Sequence, residues 1–245
     1  MKTPAFFCFS CARDEALLPL HYAAIRRITA NAPVFYVIPE GEKVAIPAGA
    51  EKIESSWERG DRLSGVPAVR GILATIAATA PLVGVDTPCV KIDADTVLTS
   101  ADWLQLCKPS SPYVGFESWH PMLPTGACYA ITPALAATCL AMTEPWPWQD
   151  EVSRIPEDRT IYLLAMQAGH GQPRVLPFSG HLHMLAFCPS WYADPSDLAP
   201  GSGVCAVHCG ERPQMQRLEA LGLDRTTQVA RAMRCCLRSL KKRYS

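Results

Sequence analysis

An alternation of strand-like and helix-like segments at the start of the chain limits the possible folds more than any other feature. Residues 5–10 form a continuous apolar run of strand length, and residues 14–30 carry apolar side chains at helical spacing. Residues 34–38, V-F-Y-V-I, lie between two prolines and predict a second strand. A strand, a helix and a strand in this order predict a parallel βαβ unit with a right-handed crossover.

The rest of the chain continues this alternation. The further predicted elements are a short strand at 52–54, a helix at 61–80, a strand at 89–98, strands at 113–117 and 127–131, a helix at 133–142 with Thr132 as its N-cap, a helix from 156 to about 168 closed by Gly169, a strand at 174–178, and a helix from 214 to about 240. A length of 245 residues suits one well-packed domain, so we predict a single α/β fold.

The charge balance disfavours a nucleic-acid partner, since 23 Lys and Arg residues face 23 Asp and Glu residues. The N-terminal apolar run is too short for a signal peptide. The longest uncharged stretch, residues 71–85, is shorter than the roughly 20 residues that span a bilayer. We therefore expect a cytoplasmic protein without a transmembrane segment. The basic residues 238–243 complement the dipole of a final helix, and peripheral membrane contact is the alternative.

The 11 cysteines are scattered through apolar segments, which predicts reduced, buried thiols. Two spacings allow zinc as an alternative. In Cys8-x-x-Cys11 the alternation of a strand points the two side chains to opposite faces, and Cys205-x-x-His208-Cys209 lacks a convincing second pair of ligands. Buried thiols are therefore favoured over a structural zinc site.

Two aspartates lie where the strand predicted at 89–98 runs into polar residues, in the sequence V-K-I-D-A-D-T. Asp93 and Asp95 lie one residue apart, at the strand end where open α/β sheets bind ligands. Two carboxylates this close repel each other unless a cation or buried donors offset their charge, and hard divalent ions prefer oxygen ligands. The pair therefore predicts a metal site, with the capping of a turn as the structural alternative.

Several motifs together resemble the GT-A family of nucleotide-sugar glycosyltransferases, over about residues 4–210. The family has a D-x-D after an apolar strand, as in Asp93-Ala94-Asp95. The other similar segments are the strand end from Ser10 to Asp14, the glycine-led strand from Gly126 to Ile131, the acidic helix start Pro156-Glu157-Asp158, and the late histidine His208. The order of these motifs along the chain carries the resemblance.

The resemblance implies a single GT-A-like domain at 1–212, with a mixed, mostly parallel central sheet flanked by helices. A C-terminal helical extension at 213–245 is expected to pack on it. The implied activity is metal-dependent transfer of a sugar from a nucleotide-sugar donor, with UDP as the expected nucleotide. The acceptor is a hydroxyl of an unknown glycan or small molecule.

The resemblance also implies a cofactor, Mn²⁺ or Mg²⁺, that neutralises the departing diphosphate. Asp95 is the expected direct ligand, Asp93 contacts the ribose or reaches the metal through water, and His208 adds an imidazole. Further donor contacts are expected from Ser10, Arg13, Asp14, Arg62 and Arg70. Inverting transfer needs a general base, for which Asp158 is the candidate and Glu157 the fallback.

Each assignment has an alternative. Arg62 and Arg70 also fit a solvated helix face, and Glu157 and Asp158 also favour the dipole of a helix start. Three tryptophans in predicted loops either cover a sugar ring or pin their loops to the core: Trp119, Trp146 and Trp148.

Three other classes of protein fit part of the sequence. A haloacid-dehalogenase-like phosphatase would use Asp93 and Asp95 as nucleophile and acid/base, although that family has its motif on the first strand. A nucleotidyltransferase would have a glycine-rich loop after the first strand, and residues 9–14 contain no glycine. The non-enzyme alternative is a carbohydrate-binding protein without turnover.

Overall fold

The computed structural model describes residues 2–56, 65–117, 124–144, 156–176, 184–186, 205–209 and 224–244. The strands are β1 (Ala5–Phe9), β2 (Val34–Pro39), β3 (Glu51–Ser55), β4 (Cys89–Ile92), β5 (Thr96–Leu98), β6 (Tyr113–Glu117), β7 (Pro124–Ile131), β8 (Arg174–Leu176), β9 (Met184–Ala186) and β10 (Ala206–His208). The helices are α1 (Leu18–Ile28), α2 (Val66–Ala78), α3 (Ala80–Val83), α4 (Pro133–Met142), α5 (Glu157–Gln167) and α6 (Arg225–Tyr244), with 3₁₀ segments at Ala12–Leu17 and Asp102–Leu106.

Seven of the strands form a central sheet in the order β3-β2-β1-β4-β7-β6-β8. β1 is parallel to β2 and β4, β2 is parallel to β3, and β6 is parallel to β8. β7 runs antiparallel to both of its neighbours, β4 and β6. The predicted α/β fold, with a mixed, mostly parallel central sheet flanked by helices, is confirmed.

Helices cover both faces of this sheet, because its central strands carry apolar side chains on both sides. One face packs against α1 and the 3₁₀ segment Asp102–Leu106, and Phe6 and Trp103 are buried there. The other face packs against α2, α4 and α5, and Phe7 and Ile72 are buried there. Burial on both faces explains why these strands are continuous apolar runs instead of alternating patterns.

The prediction of a single strand at 89–98 is wrong, because the structure has two strands there, β4 and β5. β4 lies in the central sheet, whereas β5 lies in a second sheet of order β5-β10-β9. Between them the chain turns at residues 93–95, and the backbone N–H of Thr96 donates to the carbonyl oxygen of Asp93 at 3.0 Å. Apolar residues continue on both sides of the turn, so the pattern contained no signal for the change of sheet.

The final helix packs against the domain. Val229, Met233 and Cys236 of α6 share an apolar cluster with Leu17 and with Val97 of β5. The predicted helix start at residue 214 lies outside the described residues, and α6 is described over Arg225–Tyr244. The domain boundary at residue 212 stays a prediction.

The helix predicted at 61–80 is described as α2 and α3, and residues 57–64 lie outside the described part. The window Val66–Val83 is long and apolar enough to cross a membrane by length and composition. That is a weak indication, because a core helix passes the same test, and 44% of this window is buried inside the protein. Ile72 and Leu73 are fully buried in the core beneath the sheet.

The nine described cysteines whose side chains are placed are all buried thiols: Cys8, Cys11, Cys89, Cys107, Cys128, Cys139, Cys205, Cys209 and Cys236. This agrees with the predicted reduced thiols. Burial raises the pKa of the Cys89 and Cys107 thiols to about 12, so both stay protonated at neutral pH.

The predicted N-cap of α4 is confirmed, since the Leu135 backbone N–H donates to Thr132 Oγ1 at 3.3 Å. We expect Thr132→Ala to lower the free energy of unfolding by about 1 kcal/mol in urea denaturation. The matched control is Thr138→Ala in the same helix, where the hydroxyl only donates to Ala134 O. It should change stability by less than about 0.5 kcal/mol, and equal losses for both variants would contradict the capping role.

Candidate active site

One edge of the central sheet brings the predicted motifs together. β1 and β4 end at this edge, and the antiparallel strand β7 begins there. α5 also begins there, because Glu157 in its first turn lies 3.2 Å from Lys91 Nζ on β4. Ligands of open α/β sheets bind at this kind of edge.

The D-A-D turn leaves β4 at this edge and is fixed by backbone hydrogen bonds. The N–H of Asp93 donates to the carbonyl oxygen of Ala127 on β7 at 3.0 Å. The N–H of Cys209 donates to the carbonyl oxygen of Asp95 at 2.9 Å. The Asp93 side chain is 28% exposed, whereas Asp95 is 8% exposed. The turn therefore ties both sheets together and leaves Asp93 as the more accessible carboxylate.

Lys91 is the charged residue at the centre of this edge. It is fully buried on β4, two residues before Asp93, and therefore on the same face of the strand. Its Nζ donates to Asp93 Oδ1 at 2.7 Å and to the carbonyl oxygen of Gly126. The same atom lies 3.2 Å from Glu157 Oε1. One ammonium group thus joins the D-A-D turn, the start of β7 and the start of α5.

The two carboxylates that begin α5 are both buried. Glu157 is 3% exposed and Asp158 is 7% exposed. Burial raises the pKa of Glu157 to about 7, although the neighbouring Lys91 acts in the opposite direction. Burial also raises the pKa of Asp158, against the hydrogen bond that its Oδ1 accepts from the Arg159 N–H at 2.8 Å. A raised pKa suits a carboxylate for accepting a proton near neutral pH.

Gly126 allows β7 to approach these carboxylates closely. A Cβ atom at this position would lie 3.0 Å from Glu157 Oε1 and 3.3 Å from Asp158 Oδ2. Further along the strand, Tyr129 lies opposite Lys91 in the β4–β7 register, and its ring stacks on Tyr113 at 5.5 Å between centroids. The glycine therefore brings the strand's backbone against the acidic helix start.

The loop after β1 carries three residues that are predicted to contact the donor, and their side chains differ in burial. The Ser10 side chain is fully buried, with its hydroxyl 2.9 Å from Cys8 Sγ. Asp14 is 7% exposed, and its carboxylate accepts a hydrogen bond from the Cys11 N–H at 3.3 Å. Arg13 is exposed. Of these three side chains, Arg13 is the most exposed to solvent, and Asp14 stabilises its own loop.

The arginines predicted to contact the phosphates are only partly described. Arg70, on the first turns of α2, is 43% exposed at its side chain and lies 3.5 Å from Glu144, which follows α4. Arg62 and the loop tryptophans Trp119, Trp146 and Trp148 lie outside the described residues. Their contacts with donor or sugar stay predictions.

The described residues supply only part of the predicted ligand set for a cation. Within them, no group of three or more His, Cys, Asp or Glu side chains is arranged to hold a metal ion. The backbone of His208 pairs with Thr96, next to Asp95, and the His208 side chain is outside the described part. Asp93 and Asp95 offer the carboxylate oxygens that Mg²⁺ and Mn²⁺ prefer. The chemistry of these two carboxylates suits a hard divalent ion, and the cation site itself, with Asp93, Asp95 and His208, stays a prediction.

Two residues near the site were missed by sequence reasoning. Lys91 had a usable signal, since a lysine inside an apolar strand shares a face with the residue two positions later. His21 on α1 had none. It is fully buried, its Nδ1 lies 3.0 Å from the Tyr36 hydroxyl, and burial lowers its pKa to about 4 despite the opposing effect of the Asp95 charge. A neutral imidazole therefore lies within electrostatic range of Asp95.

Comparison with known proteins gave similarity at the level of structure. No family model matches the chain, and no curated protein matches it. The glycosyltransferase GlyE of Streptococcus pneumoniae TIGR4 is 11% identical over 72% of this chain, with a TM-score of 0.47. A glycosyltransferase involved in glycosylation of the major capsid of PBCV-1 is 14% identical over 89% of this chain and 99% of its own, with a TM-score of 0.48.

The galactosyltransferase LgtC, solved in complex with donor and acceptor sugar analogs, is 9% identical over 92% of this chain and 95% of its own. Its TM-score of 0.51 supports a shared fold. This chain covers 45% of the length of GlyE. The chain therefore has a GT-A-like α/β fold, in agreement with the resemblance drawn from its motifs.

The buried Glu157 should make stability depend on pH. Its pKa rises from 4.5 to about 7 on folding, so its protonated form stabilises the folded state below pH 4.5, and this contribution is lost as the pH rises through 7. Glu157→Gln removes this titration. We therefore expect the free energy of unfolding of the variant, relative to the unchanged protein, to increase between pH 5 and pH 8. Urea denaturation at four pH values measures it, and a constant difference would contradict the raised pKa.

Proposed function

We propose that this protein is a glycosyltransferase that transfers a sugar from a nucleotide-sugar donor, with UDP as the expected nucleotide, to a hydroxyl acceptor. The observation that carries the proposal is the meeting of two separate acidic motifs at one sheet edge. Lys91 contacts Asp93 of the D-A-D turn and Glu157 of the acidic helix start. The GT-A-like fold supports it, because a transferase needs donor and acceptor groups side by side.

A divalent cation bound by Asp95, together with Asp93 and His208, would neutralise the charge that builds on the departing diphosphate. The chain's own groups would do the remaining work. Arg13, in the loop after β1, is exposed, and Arg70 of α2 is partly exposed beside Glu144; a guanidinium suits phosphate oxygens, so both are the proposed phosphate contacts. The partly exposed carboxylate of Asp93 accepts a hydrogen bond from Lys91. It is suited to accept a further hydrogen bond from a ribose hydroxyl.

The acceptor hydroxyl must lose a proton during transfer, and Asp158 is the proposed base. Two observations favour Asp158 over Glu157. Glu157 is the less exposed of the two, and its carboxylate already faces the Lys91 ammonium. Burial raises the pKa of both carboxylates, which suits either for accepting a proton, so the choice between them rests on exposure and on the Lys91 contact. A base acting directly on the acceptor predicts transfer with inversion at the anomeric carbon.

The metal and donor assignment is tested with Asp95→Ala. A panel of sugar nucleotides is first screened with Mn²⁺ by thermal shift, since a ligand that binds only the folded state raises the melting temperature. Asp95→Ala should abolish metal-dependent hydrolysis of the donor that scores best. Asp86→Ala, which removes an exposed aspartate paired with Lys2, is the control and should leave hydrolysis unchanged. Full activity of Asp95→Ala would reject the assignment, and phosphate release from small phosphoesters would favour the phosphatase.

The base assignment is tested with Asp158→Asn, which keeps the size of the side chain and removes its basicity. We expect transfer to fall by about 10²–10⁴-fold, with donor binding within about threefold of the unchanged protein. The anomeric configuration of the product, determined by NMR, should be inverted relative to the donor. Unchanged transfer by the variant, or a product with retained configuration, would remove Asp158 from the role of base.

A further inference from the structure

Lys91 has a second acidic partner besides Asp93, and that partner begins α5. Its Nζ lies 3.2 Å from Glu157 Oε1, and both side chains are buried. Glu157 directly precedes Asp158, the proposed base, in the first turn of α5. A buried ammonium and a carboxylate in contact hold each other in place, because separating them would leave a charge uncompensated in the interior. The contact therefore links β4 to the helix turn that carries the base.

The same ammonium group also contacts β7 at the residue that lies closest to Asp158. Lys91 Nζ donates a hydrogen bond to the carbonyl oxygen of Gly126. A Cβ atom at Gly126 would lie 3.0 Å from Glu157 Oε1, 3.3 Å from Asp158 Oδ2 and 3.4 Å from Asp158 Cβ. The start of β7 and the first turn of α5 are therefore in close contact, and Lys91 contacts both of them.

We infer that Lys91 is a positioning residue for the base. Through its contacts with Glu157 and Gly126 it holds the first turn of α5, and with it the Asp158 carboxylate, against the start of β7. The inference rests on the proposed function, since it takes Asp158 as the base. Lys91 is fully buried on β4, so it acts on the base and not on a substrate.

The charge of Lys91 also favours the form of Asp158 that accepts a proton. Burial raises the pKa of Asp158, and the charge of Asp93 acts in the same direction. The hydrogen bond from the Arg159 N–H and the positive charges of Lys91 and Arg159 lower that pKa. The other titratable groups that interact with Asp158 are its neighbour and two buried tyrosines: Glu157, Tyr113 and Tyr129.

The two helices that pack on α5 bring one further charged residue. α4 has none over Pro133–Met142, and α2 has Arg70. The Arg70 guanidinium lies 3.5 Å from Glu144, so its charge is paired there. Among the described cations, Lys91 is therefore the one on a neighbouring strand that counteracts the effect of burial on Asp158.

The experiment follows the ionisation of Asp158 by ¹³C NMR of the full chain, labelled at the aspartate carboxyl carbons, without donor or acceptor. The Asp158 resonance is the one that disappears in Asp158→Asn. Lys91→Met should raise the pKa of Asp158 by about one unit, because a nearby positive charge is lost. Glu157→Gln should lower it by about half a unit, because a neighbouring negative charge is lost.

The chain contains a matched control for the loss of a lysine. Lys52 and Glu54 on β3 are also two residues apart and form a pair at 2.8 Å, but their side chains are 31% and 56% exposed. β3 lies three strands from β4 in the sheet. Lys52→Met should therefore leave the pKa of Asp158 unchanged, because solvent and salt screen so distant a charge.

The contact itself is tested by urea denaturation of Lys91→Met, Glu157→Gln and the double variant. We expect the double variant to lose less stability than the two single variants together, because residues in contact are coupled. Additive losses would show that Lys91 does not act through Glu157 and would overturn the inference.

The NMR outcomes separate a positioning role from a purely structural one. A purely structural lysine would lower the urea midpoint of Lys91→Met and leave the pKa of Asp158 unchanged, and that result overturns the inference. If Lys91→Met does not fold, Glu157→Gln decides, because it alters the same contact and keeps Lys91. An unchanged pKa of Asp158 in that variant also overturns the inference. These results concern Lys91 alone, whereas unchanged transfer by Asp158→Asn would reject the proposed base.

Discussion

A buried ion pair between Lys91 and Asp93 is the interaction on which the proposed active site depends most. Removing a lysine from water costs free energy, and the cost is offset only where oxygens of opposite or partial negative charge surround the ammonium. Here those oxygens come from the D-A-D turn, from β7 and from α5. The charge therefore fixes the relative positions of three elements that are far apart in the sequence, and these are the elements that carry the predicted site residues.

The direction of β7 explains how the three elements meet. A parallel strand in this position would start at the opposite edge of the sheet, and Gly126 would then be a full strand length from Lys91. Because β7 runs antiparallel to β4, its first residues lie beside the end of β4. The absence of a side chain at Gly126 then allows Glu157 and Asp158 to approach, since a Cβ atom would lie 3.0 Å from Glu157 Oε1. Topology and one small residue together place the acidic helix start at the D-A-D turn.

Much of the fold could be predicted because its signals are local. The apolar run of β1, the β-branched run of β2 and the Thr132 cap of α4 each depend on neighbouring residues, and the structure has all three. The change of sheet after Asp95 was not predictable, because it depends on pairing between β5 and a strand formed by residues 206–208. The contact of Lys91 with Glu157 was not predictable either, since it requires the order of the strands to be known. The burial of His21 was not predictable either, because it depends on how α1 packs against the sheet.

The proposed function requires the D-A-D edge to bind a nucleotide through a divalent cation. Titration calorimetry of the unchanged chain with UDP, with and without Mn²⁺, measures this binding. We expect UDP to bind in the presence of Mn²⁺ and binding to weaken by about tenfold or more when the ion is removed, because the cation supplies much of the charge opposite the diphosphate. Equal binding in both conditions, or no binding in either, would contradict it.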